Sequence, residues 1–205
     1  MRSAEHWEEV YRTKQPTAVS WYQPSPEPSL RVLNRFVTDK ACSLIDVGGG
    51  ASNLVDTLLK GGWSDLTVLD IAAPALQVAR ERLGEAAETV KWEVADIANW
   101  LPSQTYDIWH DRAVFHFLTT PEDRAAYVGA VLRAVKPGGH VIVATFAEDG
   151  PTQCSGLPVM RYRADELHAV FGGSFLLLQH SKEVHHTPFG TDQQFVYCYC
   201  RKVAS

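Results

Sequence analysis

The sequence holds no apolar run long enough to span a membrane. Its N-terminal stretch, MRSAEHWEEVYRTK, is charged throughout and lacks the apolar core of a secretory signal. These two absences lead us to expect a cytoplasmic protein with no membrane partner. Basic residues are in the minority, 19 Lys and Arg against 24 Asp and Glu for a net charge of -5. A phosphate-backbone binder relies on clustered Lys and Arg, so no nucleic-acid partner is expected. Cysteine is scarce: Cys42, Cys154, Cys198 and Cys200 have no staple-like spacing and two of them sit in strand patterns, so reduced thiols are expected. Internal repeats and low-complexity tracts are absent as well. What is present is an ordinary globular balance, 45% hydrophobic and 21% charged over 205 residues, enough for one domain with a real core.

The chain divides into an N-terminal helix and lid segment (1–28) and a core (29–205). Residues 3–14 put Trp7, Val10 and Tyr11 on one helical face, with Ser3 as N-cap. The following TAVSWYQPSPEP carries three prolines that preclude a regular element, and two large rings, Trp21 and Tyr22. It reads either as a linker packed on the domain or as a lid over a small-molecule site. A helix over Ser29–Val37 then leads into a strand at Cys42–Val47. From there strands and helices alternate: a helix at Asn53–Lys60, strand LTVLD, a helix opened by Pro74 and stopped at Gly84, strands VKWEVAD and YDIWHD, a helix begun by Thr120-Pro121 and ended at KPGG, and strand HVIVATF. Alternation of this kind predicts an α/β fold with a doubly wound, mostly parallel sheet. After Ala147 come a long loop, a short helix near Asp165–Phe171, and strands Ser174–Ser181 and Gln193–Arg201. The link between those two is too short for a crossover helix, so they should pair antiparallel.

The stretch LIDVGGGAS (Leu44–Ser52) is a strand that breaks into three glycines before a helix. Glycine suits a sharp turn whose backbone must approach a ligand, and the helix that follows offers free N–H groups. In an open α/β sheet the ligand lies beyond the carboxyl ends of the strands, and three successive strand ends deliver Asp46, Asp70 and Asp96 there. Asp70, about 20 residues past the glycines, is placed to accept from a ribose diol, and Asp96 from an exocyclic amine. Singly, each acid could equally be a surface residue or a helix cap. Asn53 stands where the dinucleotide fingerprint wants a third glycine, and the loop has no phosphate-binding lysine. An acid at Asp46 would repel phosphate and suit a cationic ligand.

With Asp70 and Asp96, this junction resembles motif I of the class I S-adenosylmethionine-dependent methyltransferases, from about Trp7 to Lys202. The resemblance implies a Rossmann-like seven-stranded sheet and S-adenosyl-L-methionine as cofactor. Residues matching Gly48 and Gly50 approach its methionine part, Asp70 its ribose and Asp96 its adenine. Asp46, Gly49, Ile71, Ile97, Trp21 and His110 complete the expected cofactor-binding set. The Trp-plus-Tyr pattern near the N-terminus is similar to that of thiopurine methyltransferase and of the lysine methyltransferases acting on elongation factor 1A and citrate synthase. The latter carry an acid, Lys, Gly and Thr after the fourth strand. Here Asp111 matches the acid, and Arg112, Ala113 and Val114 replace the rest.

That fourth strand ends in WHDRAVFHFL, where His110, Asp111, Arg112 and His116 interrupt an apolar run. Burying them unpaired would cost roughly 1–3 kcal/mol each, so they must find partners. His110, Asp111 and His116 are the candidate catalytic residues, one of which would deprotonate or orient the acceptor. The competing reading is an Asp111–Arg112 ion pair with His116 in the core. Tyr22, Arg112 and Arg161 are candidate substrate-binding residues, Arg161 because its long loop leaves the fifth strand on the ligand edge. Cys154 in that loop could be an acceptor-site thiol or inert. No metal site is expected: His180, His185 and His186 with Cys198 and Cys200 lack zinc-ligand spacing. The leading expectation is methyl transfer to an N, O or S atom of a small molecule or an exposed protein side chain. A nicotinamide-dependent oxidoreductase and a noncatalytic nucleoside-binding module are the alternatives.

Overall fold

A computed structural model describes residues 4–204. The helix expected over residues 3–14 is α1, Ala4–Thr13, and the proposed Ser3 cap lies outside the described residues. α2 (Glu27–Phe36) starts two residues earlier than expected, with Pro28 in its first turn, where a missing N–H costs nothing. Then follow β1 (Leu44–Val47), α3 (Leu54–Lys60), β2 (Leu66–Asp70), α4 (Ala73–Leu83), β3 (Val90–Val94), β4 (Tyr106–Arg112), α5 (Pro121–Ala134) and β5 (Val135–Phe146). Thr120 caps α5 by accepting from Asp123 N at 3.1 Å. A small hairpin, β6 (Gln153–Cys154) with β7 (Leu157–Pro158), precedes α6 (Ala164–Phe171), β8 (Phe175–His186) and β9 (Asp192–Lys202).

The seven-stranded sheet runs β3-β2-β1-β4-β5-β9-β8. β1 to β5 pair parallel, and β9 joins both β5 and β8 antiparallel. The parallel strands β1 and β2 are buried along their whole length, which is why they read as continuous apolar runs. The order reverses between β1 and β4, and the ligand edge of the sheet lies there.

Two strands are longer than the sequence pattern suggests. β5 takes in Lys136-Pro137-Gly138-Gly139 before the apolar run, because Val135 already pairs with Tyr106. The register then shifts, so that His140 meets Ile108. Gly138 at φ 76 supplies the backbone turn this bulge needs. β8 extends to His186 because its outward positions, such as His180, Lys182 and His186, are exposed while their backbone pairs with β9. A polar outer face masks a strand whose ladder is intact.

Candidate functional site

The glycine loop leaves β1 against the end of β2. Gly48 sits at φ +68, and a Cβ there would stand 1.9 Å from Val114 Cγ2. Gly50, at φ +41, would place one 2.8 Å from Asp70 Oδ2. Both positions combine a left-handed backbone with contact too close for any side chain. The loop therefore packs between the Asp70 carboxylate and the turn after β4.

A cleft of about 820 Å³, its mouth included, opens along this edge. Gly48, Asp70, Ile71, Asp96 and Ile97 line it on the sheet side. Asp70 Oδ1 accepts from Ala72 N at 2.8 Å, while Asp96 accepts from Ala98 N at 3.0 Å and Asn99 Nδ2 at 3.1 Å. Each local bond aims its carboxylate, and the spare lone pairs stay available. Burial pushes the Asp70 carboxyl up to about 7, with the nearby charge of Asp46 adding to the shift.

The roof comes from the N-terminus, where Trp7, Tyr11 and Trp21 line the cleft. Trp7 packs edge-on against Trp21 and Phe117 at 5.7 and 5.0 Å, and Trp21 Nε1 donates to the Tyr11 hydroxyl at 3.3 Å. Trp7 and Tyr11 were visible as one helical face but were not assigned to the site. Their i, i+4 spacing of large rings on a short helix was the available signal. The segment after α1 is tied down at several points. Asn53 Nδ2 donates to Gln23 O at 3.0 Å, Gln23 Nε2 donates to Glu183 Oε1 at 2.8 Å, and His185 Nε2 lies 2.8 Å from Ser20 O.

A second lobe, about 600 Å³, continues under this segment and is lined by Asp46, Gly48, Gly49, Ser29, Tyr22 and His110 among others. Asp46 and His110 are register partners across β1 and β4. Asp46 Oδ1 is 2.7 Å from His110 Nδ1, and His110 Nε2 is 2.8 Å from Ser29 Oγ. The carboxylate can only accept, so Nδ1 carries its proton toward Asp46, while Nε2 pairs with the Ser29 hydroxyl. Both ring nitrogens are thus occupied within the protein, and Asp46 has an internal partner.

The structure places three further candidate residues, Asp111, His116 and Arg161, outside both lobes. Asp111 is fully buried, lines neither lobe, and does not pair with Arg112. Its carboxylate accepts from Val114 N at 2.9 Å, Phe115 N at 3.1 Å and the Tyr127 hydroxyl at 2.6 Å, so it anchors the turn after β4. Burial pushes its carboxyl up to about 7 against the pull of these donors. His116 is also fully buried, packs on Phe117 and Phe146, and accepts from Phe146 N at 3.3 Å, outside both lobes. Arg161 is exposed and donates to Gly150 O at 3.2 Å rather than lining a lobe.

Arg112 and Trp21 line both lobes, whereas Gly50 lines neither and acts through its packing on Asp70. Ala113, Val114, Phe117, Leu118 and Cys154 also line the first lobe. Ala113 holds φ 75, a left-handed conformation costly for a residue with a Cβ. Burial pushes the Cys154 thiol up to about 11. All four cysteines are free, and no group of three or more metal-ligating side chains occurs among the described residues.

Residues 44–139 match the family model of the methyltransferase domain. The match covers just under half of the chain, which over this segment is similar to a methyltransferase domain. An S-adenosylmethionine-dependent methyltransferase from Anabaena variabilis superposes on this methyltransferase fold with a TM-score of 0.78 at 14% identity, over 98% of this chain and 96% of that one. The eEF1A lysine and N-terminal methyltransferase of mouse is 24% identical over 153 residues, 71% of this chain and 22% of that protein. The trans-aconitate 2-methyltransferase of Azoarcus sp. (strain BH72) is 32% identical over 114 residues, 55% of this chain and 42% of that protein. The chain thus spans less than half the length of these two relatives.

Proposed function

We propose that the protein transfers a methyl group from S-adenosyl-L-methionine to a nucleophilic atom of a small molecule. The observation that carries this reading is the convergence of Asp70, Asp96 and the Gly48 turn on one cleft in a family methyltransferase domain. The residues fit the cofactor. Its nucleoside requires acceptors for a diol and an exocyclic amine, and the two carboxylates supply them between the apolar side chains of Ile71 and Ile97. Gly48 and Gly49 border the second lobe, where backbone can approach the amino-acid end. When bound, the cofactor supplies a methyl carbon activated by positive sulfur.

The chain's own contribution is alignment and the exclusion of water. Asp70 fixes the ribose by accepting hydrogen bonds, and Trp7, Tyr11 and Trp21 cover the cleft. Asp46, held by His110, whose other ring nitrogen pairs with Ser29, places a carboxylate beneath the loop, where it favours a cationic ligand over phosphate. The roof favours a diffusible acceptor over an exposed protein side chain, because Trp7 and Trp21 close the cleft from above. We place the activity in the cytoplasm, consistent with the lack, among the described residues, of a helix long and apolar enough to cross a membrane.

Calorimetry tests the reading. S-adenosylmethionine and its demethylated product should bind, and neither NAD nor ATP should bind with comparable affinity. Tight NAD binding without heat from S-adenosylmethionine would point to the oxidoreductase alternative. Binding without turnover of any acceptor would point to the noncatalytic module.

A further inference from the structure

The two lobes share Tyr11, Trp21, Gly48 and Arg112. In the reading above, on which this inference rests, the nucleoside occupies one lobe and the amino-acid end enters the other. The transferable methyl would then lie near the residues that the two lobes share. Arg112 is the one lysine or arginine among the described residues lining either lobe. Its side chain is 9% exposed. Nε donates to the Tyr197 hydroxyl at 3.1 Å, Nη1 donates to Trp21 O at 3.2 Å, and the guanidinium lies 4.2 Å over the Phe195 ring. Nη2 has no hydrogen-bond partner and stops 3.8 Å from Glu183 Oε2, which has none either. Only two of five donors are used, in surroundings where an unused buried donor is costly.

A guanidinium beside a sulfonium would repel it unless negative charge comes between them. The same junction offers no base. The nitrogens of His110 are taken by Asp46 and Ser29, Asp70 and Asp96 face the nucleoside side, and burial raises both the Cys154 thiol and the Tyr11 phenol. An ammonium or an alcohol would therefore arrive with a proton that no lining residue is free to take.

We infer that the acceptor is a small organic anion, a carboxylate or a thiolate, held by Arg112 and methylated without a protein base. The anion's lone pair forms the bond to the methyl carbon, the carbon–sulfur bonding pair returns to sulfur, and no proton moves. One positive and one negative charge become two neutral products. The apolar walls of Trp7, Trp21, Phe117 and Val114 assist such a step, because they solvate the separated charges poorly. Glu183 is the resident counter-charge that holds Arg112 until the anion enters.

The experiment begins with calorimetry of the full chain and S-adenosylhomocysteine. Absence of that heat would defeat the methyltransferase reading itself, whereas its presence isolates the present claim. The saturated complex is then titrated with benzoate, 4-nitrothiophenolate, benzamide and benzylamine. At least one anion should bind tenfold or more tightly than the amide and the amine. Arg112→Gln should abolish that preference and affect S-adenosylhomocysteine far less. Glu183→Gln, which keeps an oxygen for Gln23, should strengthen anion binding severalfold. Benzamide or benzylamine binding as well as the anions would overturn the inference, as would failure of both anions at millimolar concentration. Loss of S-adenosylhomocysteine affinity in Arg112→Gln with the anion preference intact would assign Arg112 to the cofactor's carboxylate instead. If Arg112→Gln does not fold, Glu183→Gln decides, since weaker anion binding there is the opposite of what a competing counter-charge predicts.

Discussion

Replacing Asp111 with Asn separates a structural anchor from a catalytic acid. Oδ1 accepts from Val114 N, and Oδ2 accepts from Phe115 N and from Tyr127, whose hydroxyl in turn accepts from Trp109 Nε1 at 2.9 Å. Every side of the carboxylate therefore meets a donor, and an amide NH2 must face one of them. The less costly orientation turns it toward Val114 N–H, leaving a buried backbone donor unsatisfied at roughly 1–3 kcal/mol. The Tyr127 bond also passes from a charged acceptor to a neutral one, worth about 1 kcal/mol more. The sum is roughly 2–4 kcal/mol, which for a chain of this length lowers the melting temperature by about 10 °C. Melting should be followed at pH 8, above the value of about 7 to which burial pushes this carboxyl. Calorimetry on the variant should show S-adenosylhomocysteine affinity within about twofold of the parent. An unchanged melting temperature with turnover reduced tenfold would refute the reasoning and return Asp111 to the acceptor.

Asp70→Asn should weaken S-adenosylmethionine binding by roughly 1.5–3 kcal/mol, the worth of hydrogen bonds to a charged group, and an unchanged dissociation constant would place the ribose elsewhere. In the parent, the Asp70 carboxyl is raised from 3.8 to about 7, so the folded chain holds its proton in that window and stability falls as pH rises through it. The diol needs the carboxylate, so cofactor affinity should drop by up to about tenfold per unit below pH 7, a slope that calorimetry should find missing in Asp70→Asn. Ala113→Gly should relieve the left-handed backbone and raise stability by about 1 kcal/mol in a denaturant melt, and a destabilised variant would show that the Ala113 methyl is needed for packing. Saturating S-adenosylhomocysteine should slow trypsin cleavage after the exposed Lys14 at least threefold, whereas equal rates would mean that the roof closes without regard to the cofactor.

The parallel pairing of the first five strands and the placement of Asp70 and Asp96 were legible because both follow from one rule. Successive strands with intervening helices end at the same sheet edge, so the last residue of each faces the same ligand. The stretch after Trp109 was not resolved in this way, although strand alternation held part of the answer. His110 and Arg112 share one face of β4, the face that borders the second lobe, while Asp111 between them points to Tyr127 of α5. Sequence says that the two faces differ but does not say which of them carries the cleft. Arg161 failed for another reason: a long loop on the ligand edge sets a region, whereas the direction of a side chain within it depends on local bonds such as the one to Gly150 O.

The division between what is shared and what is particular follows the chain. Gly48, Asp70 and Asp96 lie within residues 44–139, the segment that matches the family domain. Trp7, Tyr11, Trp21 and Cys154 line the first lobe from outside that segment, and Glu183, which faces Arg112, comes from β8. The two ends of the chain meet there, since Gln23 bonds to Glu183 and His185 to Ser20 O. Arg112 is the exception. It sits within the shared segment, yet its bonds run to Trp21 and Tyr197 in the flanks, so a change at either end shifts the cation at the junction. Under the proposed anion-binding role of Arg112, acceptor choice depends on how the N-terminal segment and the β8–β9 pair hold that guanidinium, and substitutions at Glu183 or Tyr197 should alter acceptor preference before they alter cofactor affinity.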